Sequence, residues 1–291
     1  MTTTETDKKA PKQRSDIALQ YLRPGKKLPH VWCPGCGIGV VMGAYIRALD
    51  KLGWDRDAVA MVSGIGCSSR MPVYMDFHSL HTAHGRALPF ATGVKFNRPD
   101  MNVVVITGDG DALAIGGNHF IHACRRNINI TTILINNSIY GMTGGQGSPA
   151  TPSGDKSTTT PYGNSEKHFD PCTLATAAGA SYVARASVHA VPQLEKLIKG
   201  GLAHDGFSLI EVIANCHTYY GRLNRLGDAV AMLRRYKEQS VTVAKARKMS
   251  PEELEGKIVL GMLHQDEKTE FCNEYQKVVE LLKKKRGTNG N

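Results

Sequence analysis

Four of the seven cysteines and one acidic loop form patterns that are typical of metal and cofactor sites. Two of the cysteines form a CxxC pair in the segment CPGCG at residues 33–37, and Cys67 and Cys216 stand far along the chain. The acidic loop, GDGD at residues 108–111, and the pair Asn136-Asn137 lie between these two cysteines in sequence. The cysteines suggest one-electron chemistry at a metal cluster. The acidic loop and the asparagines suggest a divalent cation that holds a diphosphate.

A strand–helix–strand pattern is expected to position the acidic loop. Residues 102–107 predict a buried strand, residues 112–126 a helix and residues 130–135 a second strand. If the strands are parallel neighbours about 5 Å apart, Asp109 and Asn137 follow them at the same edge of a sheet. A carboxylate and an amide oxygen at that edge suit Mg²⁺. A plain acidic turn between strand and helix is the alternative interpretation.

Helix and strand patterns alternate along most of the chain, which predicts an α/β fold with a doubly wound parallel sheet. We expect a disordered basic tail at residues 1–15, one domain over 16–227, and a charged, helical C-terminal extension without strands over 228–291. The segment 141–166 is too long for an ordinary connection, so it is predicted to be functional or mobile. The remaining helices are predicted at residues 38–52, 86–96, 173–178 and 191–202, and the remaining strands at 58–63, 182–186 and 209–213.

The composition narrows the class of protein. The apolar fraction of 41% and the charged fraction of 21% are those of a globular protein. No apolar run is long enough to span a membrane, and residues 1–14 lack the apolar core of a signal peptide, so a cytoplasmic location is expected. The net charge of +10 is partly carried by the two ends of the chain. These ends are either solvated tails or a surface that attracts an acidic partner such as a small electron carrier, whereas nucleic acid fits less well.

The acidic loop with its asparagines resembles the thiamine diphosphate motif. The resemblance implies that Asp109, Asn137 and the carbonyl oxygen of Ile139 bind Mg²⁺. It implies in addition that the cofactor is lined by Gly110, Asp111, Gly141 and Met142.

The spacing of the four cysteines alone does not separate a [4Fe–4S] cluster from structural zinc. A thiamine cofactor nearby favours the iron–sulfur cluster, because the cluster gives the cofactor's electrons an exit. The other three cysteines, Cys124, Cys172 and Cys272, lie in predicted helices or at their starts and are expected to be structural thiols.

A set of longer motifs extends the resemblance to one family. CPGCG, IGCSSR, HGR, GDGDALAIGGNHFIHACRRN, NNSIYGMTGGQ and TTPYGN together resemble the β subunit of the 2-oxoacid:ferredoxin oxidoreductases, over about residues 29–223. The resemblance implies thiamine diphosphate, Mg²⁺, one [4Fe–4S] cluster and an α (or fused αγ) partner subunit. It assigns the cluster to Cys33, Cys36, Cys67 and Cys216. It adds to the thiamine contacts Ile65, Gly66, Cys67, Ser68 and His84.

The implied activity is the reversible, coenzyme A-dependent oxidative decarboxylation of a 2-oxoacid, with electrons passed to ferredoxin. Thiamine enzymes usually need a Glu that activates the cofactor. The sequence offers no motif for it, so the partner subunit is expected to supply it. The segment GMTGGQ at residues 141–146 resembles the 2-oxoglutarate type, and a small residue at Gly145 is expected to leave room for a longer acid. Pyruvate, or a broad range of 2-oxoacids, is the alternative, and a non-redox thiamine decarboxylase a further one.

Overall fold

The structure is a computed structural model, and it describes residues 14–25 and 28–288. The predicted disordered tail at residues 1–15 lies outside the described residues except for Arg14 and Ser15, which begin helix α1. The α-helices are α1 Arg14–Tyr21, α2 Ile38–Leu52, α3 Ala87–Asn97, α4 Gly117–Arg126, α5 Pro171–Ala178, α6 Val191–Leu202, α7 Ala229–Gln239, α8 Val243–Ala246, α9 Pro251–Leu254 and α10 Phe271–Thr288.

Eight strands form one sheet in the spatial order β2-β1-β3-β4-β6-β5-β8-β7. Neighbouring strands run parallel except β5 and β8, which are antiparallel. This arrangement confirms the predicted α/β class with a mostly parallel sheet. The strands are β1 Val59–Ser63, β2 His78–His81, β3 Asn102–Gly108, β4 Thr131–Asn136, β5 Tyr182–Ser187, β6 Ser208–Ile213, β7 Ser240–Thr242 and β8 Ile258–Gln265.

Helices cover both faces of the sheet. Because side chains alternate between the two faces of a strand, a strand that is buried on both faces contributes to two hydrophobic cores. On β3, Val104 and Ile106 pack into the core that α2 and α6 cover. Val103 and Val105 pack into the opposite core, which contains residues of α3, α4 and α5. Strands buried on both faces read as continuous apolar runs, which is why β3 and β4 are evident in the sequence.

The prediction of a purely helical extension over residues 228–291 was wrong. Helices α7 to α10 occupy much of this segment, but it also contributes β7 and β8. Residues of β8 pair with β5 at the register Tyr182 to Gln265, so the extension belongs to the same sheet. The short apolar run of β8 is hard to recognise in the sequence, because charged helical segments lie on either side of it.

Four adjacent parallel strands, β1, β3, β4 and β6, end at the same edge of the sheet. The loops that leave this edge carry the residues of chemical interest: Cys67 after β1, Asp109 after β3, Asn137 after β4 and Cys216 after β6. Ligands of parallel sheets bind at this carboxyl edge. None of the helices within residues 14–25 and 28–288 has both the length and the apolar character needed to cross a membrane.

Candidate active site

A cleft of about 140 Å³ lies at the carboxyl edge of the sheet. The loops after β1, β3 and β4 contribute to its wall, and the beginning of the long segment 141–166 completes it. The structure brings the residues predicted for the cofactor and its cation together in this one cleft, whereas their roles stay predictions. The residues concerned are Ile65, Gly66, Cys67, Ser68, His84, Asp109, Gly110, Asp111, Asn137, Ile139, Gly141 and Met142.

Asp109 and Asn137 form the polar centre of the cleft. Asp109 is 3% exposed, and burial raises the pKa of its carboxyl group to about 6. The Oδ1 atom of Asn137 is buried and receives no hydrogen bond from any described residue. Burying a hydrogen-bond acceptor without a partner costs free energy of folding. The Asp109 carboxylate in the same cleft is a second acceptor. This donor set fits a hard cation such as Mg²⁺, which would satisfy both groups.

The carboxylate of Asp111 accepts hydrogen bonds from the protein around the cleft, so it holds the cleft together instead of binding a ligand. Its Oδ1 atom accepts hydrogen bonds from the backbone N–H groups of Ile65 (3.2 Å) and Gly85 (2.6 Å). Its Oδ2 atom accepts one from the Thr107 hydroxyl at 2.7 Å. The carboxylate thereby connects the loop after β1, the loop after β2 and the end of β3, and its acceptor sites are already used.

His84 lies against the same carboxylate. Its Nδ1 atom is 2.7 Å from Oδ1 of Asp111. Because an ionised carboxylate only accepts hydrogen bonds, Nδ1 carries the proton, and Nε2 is left without one in the neutral ring. The imidazole is 35% exposed and lines the cleft, so a bound ligand can reach it.

The helix predicted at residues 112–126 begins with a π-helical turn, Asp111–Ile115, and continues as α4 after Gly116. π-Turns of this kind are rare and frequently occur at functional sites. The ring of Tyr140 packs over the start of this turn, where a β-carbon at Gly110 would lie 2.2 Å from the ring. Glycine at position 110 is therefore required for Tyr140 to close this side of the cleft.

Hydrogen bonds tie together the three segments that carry the four cysteines. The indole N–H of Trp32 donates to the carbonyl oxygen of Cys67 at 2.7 Å. The Asn215 side chain donates to the carbonyl oxygen of Gly35 at 2.9 Å, which connects the CPGCG segment to the loop of Cys216. Gly35 has φ +85°, a left-handed conformation that favours glycine, and it sits in the turn between the CxxC cysteines.

The thiols of Cys33, Cys36, Cys67 and Cys216 lie close enough together to raise the pKa values of Cys36 and Cys67. Burial raises the pKa of Cys36 to about 12 and that of Cys67 to about 11, and in both cases the neighbouring thiols add to the increase. A thiol without a positive partner is hard to ionise, whereas metal coordination removes its proton outright. The donor set therefore fits an iron–sulfur cluster, and it equally fits zinc.

The four thiols do not form a ready-made metal geometry. Within residues 14–25 and 28–288, no group of three or more His, Cys, Asp or Glu side chains is arranged to hold a metal ion. The other three cysteines, Cys124, Cys172 and Cys272, are buried within the fold. Their burial agrees with the structural role expected for them.

The cysteine group and the cleft share a wall. A β-carbon at Gly141 would lie 3.5 Å from Sγ of Cys67 and 3.6 Å from Sγ of Cys216, and Gly141 itself lines the cleft. Cys67 also lines it. Any group held by these thiols would therefore be separated from a ligand in the cleft by little more than a loop backbone.

Comparison with known proteins agrees with this geometry. Residues 64–212 match the family model described as the thiamine pyrophosphate enzyme, C-terminal TPP binding domain. The 2-oxoglutarate synthase subunit KorB of Methanocaldococcus jannaschii is 53% identical over 266 residues, which are 91% of this chain and 98% of that protein. KorB of Methanothermobacter thermautotrophicus is 51% identical over 275 residues, 94% of this chain and 95% of that one.

The chain belongs to the KorB family of 2-oxoglutarate synthase subunits. A solved structure supports the same assignment. It is a 2-oxoglutarate:ferredoxin oxidoreductase from Magnetococcus marinus with 2-oxoglutarate, coenzyme A and succinyl-CoA bound. Its sequence identity to this chain is 34%, its TM-score 0.82, and the match covers 96% of this chain and 94% of that one.

Three side chains make contacts that the sequence motifs of this KorB-family chain do not reveal. Ser148 lies in the long segment 141–166, and its hydroxyl is 2.5 Å from Oδ2 of Asp109. Tyr140 closes the cleft over Gly110. Glu211 is a carboxylate inside the apolar strand β6, and that unusual placement was the available signal.

Gly145, the small residue expected to leave room for a longer acid, lies against Tyr219 in the structure. Gly145 has φ +92°, and its absent side chain would point at Tyr219, whose ring is 2.9 Å from an added β-carbon. Glycine at this position is explained by the backbone and by Tyr219. Gly145 is not part of the cleft lining among the described residues.

Proposed function

We propose that this chain is the β subunit of a 2-oxoglutarate:ferredoxin oxidoreductase. The activity is the reversible, coenzyme A-dependent oxidative decarboxylation of 2-oxoglutarate to succinyl-CoA and CO₂. The observation that carries the proposal is the buried, unpartnered Oδ1 of Asn137 in one cleft with the buried carboxylate of Asp109, beside the thiols of Cys67 and Cys216. The KorB relatives and the substrate named for the solved structure support 2-oxoglutarate.

In this proposal the cleft holds thiamine diphosphate and Mg²⁺. Asp109, Asn137 and the carbonyl oxygen of Ile139 are the cation's ligands. When bound, thiamine diphosphate supplies an electron sink that permits loss of CO₂ from a 2-oxoacid. The chain's own residues bind and orient the ligand: Asp111 fixes the loops around the cleft, and His84, held by Asp111, lines the cleft where the ligand lies.

The four cysteines Cys33, Cys36, Cys67 and Cys216 hold a [4Fe–4S] cluster in this proposal. Such a cluster accepts electrons singly and passes them to a carrier such as ferredoxin. The fold of the chain keeps the distance between the cluster and the cofactor short, because Cys67 and Gly141 line the cleft and also lie at the cysteine group. The net charge of +10 suits an acidic carrier.

A partner subunit completes the site in this proposal. The cleft encloses about 140 Å³, whereas complete small-molecule sites measure roughly 300–1,000 Å³. No glutamate lines the cleft in the part of the chain that the structure describes, so the Glu that activates thiamine comes from the partner. Large apolar side chains near the cleft are exposed and suit a covering surface: Ile65 (38%), Met142 (43%) and Ile115 (51%).

Thiamine diphosphate binding tests the proposal directly. We expect the assembled complex to bind thiamine diphosphate only with Mg²⁺ present, and the single chain to bind it weakly. Asp109→Asn in the complex removes the charged ligand and should weaken binding by at least tenfold, with the iron content unchanged. Asp57→Asn, at an exposed carboxylate, is the matched control. Equal binding by wild type and Asp109→Asn would refute the assignment of the cleft.

A further inference from the structure

A buried carboxylate lies in the middle of the sheet. Glu211 belongs to β6, between Ile210 and Val212, and it is 1% exposed. A charge in such a place is expensive unless hydrogen bonds and an opposite charge compensate it. An apolar residue would suit the packing of this strand better, so the role of Glu211 must come from its partners.

The two oxygen atoms of Glu211 have different partners. Oε2 accepts a hydrogen bond from Nε of Arg185 at 2.5 Å and one from the Cys172 thiol at 3.2 Å. Oε1 accepts a hydrogen bond from Nδ2 of Asn136 at 2.8 Å. Arg185 neutralises the charge, and the other oxygen is thereby available to orient Asn136.

Asn136 is the last residue of β4, and its amide shapes the turn that follows. Because Nδ2 donates to Glu211, Oδ1 faces the other way, and it accepts the backbone N–H of Ser138 at 3.0 Å. Ser138 has φ +61°, a left-handed conformation that a non-glycine residue rarely adopts without support. The Thr151 hydroxyl donates to the carbonyl oxygen of Ser138 at 2.7 Å and holds the turn from the other side.

The residues on either side of Ser138 are Asn137 and Ile139, the cation ligands of the proposed function. We infer that Glu211 is a positioning residue for the cation: it orients the Asn136 amide, which fixes the turn that presents Asn137 Oδ1 and the Ile139 carbonyl. This inference rests on the proposed function, because it needs a cation in the cleft. Residues beyond the direct ligands of a metal site commonly act in this way.

Glutamine at position 211 breaks the arrangement without changing its size. Its single amide oxygen can face Arg185 or Asn136, but not both. If it faces Arg185, its NH₂ group opposes Nδ2 of Asn136 and drives that amide to flip. A flipped Asn136 turns its NH₂ group toward the backbone N–H of Ser138, and the turn loses its hydrogen bond.

The test measures the Mg²⁺ concentration that half-saturates thiamine diphosphate binding to the anaerobically purified complex. Glu211→Gln should raise this concentration by about 10- to 100-fold, and excess Mg²⁺ should restore full binding. Asn136→Ala breaks the same link at its other end and should give a similar increase. Cys172→Ala removes a thiol that contacts Oε2 and the carbonyl oxygen of Ala184, but it leaves the hydrogen bond between Oε1 and Asn136 intact, so its Mg²⁺ requirement should match the wild type. Iron content and melting temperature are recorded for every variant.

A Glu211→Gln complex and an Asn136→Ala complex with the wild-type Mg²⁺ requirement would overturn the inference. So would a loss of binding that excess Mg²⁺ does not restore, because that pattern marks general damage to the fold. If the wild-type complex itself binds thiamine diphosphate without any need for Mg²⁺, the proposed function fails, and the inference with it.

Discussion

Ser148 holds Asp109 across 39 positions of sequence: its Oγ atom donates a 2.5 Å hydrogen bond to Oδ2 of the carboxylate. The same hydroxyl accepts the backbone N–H of Ala150 at 3.2 Å, and the Ser148 N–H donates to the Thr151 hydroxyl at 2.8 Å. The long segment 141–166 is therefore fastened to the proposed cation ligand itself. This contact connects the segment, whose length predicts a functional or mobile role, to the cleft.

Ser148→Ala should release one side of Asp109 while leaving its charge in place. A hydrogen bond to a charged group contributes about 1.5–3 kcal/mol, and loss of such a partner commonly lowers metal affinity by about tenfold or more. We therefore expect weaker Mg²⁺-dependent binding of thiamine diphosphate, measured by titration of the complex. Ser153→Ala, at an exposed serine of the same segment, should have no effect. Identical titrations for Ser148→Ala and wild type would show that the contact does not matter for binding.

Iron content tests the assignment of the cysteines. Cys67→Ala and Cys216→Ala should each lose most of the iron and the broad visible absorbance of the anaerobically purified protein, because a four-thiolate site needs every ligand. Cys124→Ala, at a thiol buried in the other of the two cores that flank the sheet, should keep both. Full iron content in Cys67→Ala would contradict the assignment. Stoichiometric zinc in the wild-type protein would show that the four cysteines bind a structural zinc ion instead of an iron–sulfur cluster.

Elements with strong periodicity could be predicted from the sequence. Helices Ile38–Leu52 and Val191–Leu202 have the predicted bounds, because an apolar face repeating at helical spacing must be buried. Strand β2, His78–His81, could not be predicted, because all of its residues are exposed at the sheet edge and carry no apolar alternation. Strand β8 could not be predicted either, because its neighbours in sequence are charged helices.

The site was only partly predictable for a different reason. Asp109 and Asn137 could be placed together, because neighbouring parallel strands end at one edge. The approach of Cys67 to Cys216 depends on the strand order β1-β3-β4-β6, which no local pattern contains. For Asp111, the motif predicts the position of the residue but not the partners of its carboxylate. It lines the cleft as expected, yet its carboxylate is saturated by the surrounding loops.

Acid should destabilise the chain partly through His204. Burial lowers the pKa of its imidazole, whose Nε2 lies 2.7 Å from the Ser181 hydroxyl. Because the folded pKa lies below the unfolded value of about 6.5, the unfolded chain binds the proton more readily. The free energy of unfolding is therefore highest above that pH, and it falls as the pH drops toward the lower folded pKa.

His204→Gln should reduce this loss, because the amide can still bond to Ser181 and does not titrate. The measurement is the denaturant midpoint of the single chain between pH 7 and pH 5, with His168→Gln at an exposed position as control. His81 and His189 have pKa values lowered by burial as well, so part of the dependence should persist. An unchanged slope in His204→Gln would contradict the contribution of His204.

The oxidative decarboxylation of 2-oxoglutarate can be measured by an anaerobic assay of the complete complex with a viologen dye as electron acceptor. We expect dye reduction with 2-oxoglutarate that requires coenzyme A, yields succinyl-CoA and CO₂, and is much faster than with pyruvate. Faster reduction with pyruvate would contradict the substrate. Release of CO₂ from 2-oxoglutarate without dye reduction, in a complex loaded with thiamine diphosphate and iron, would contradict the redox function itself.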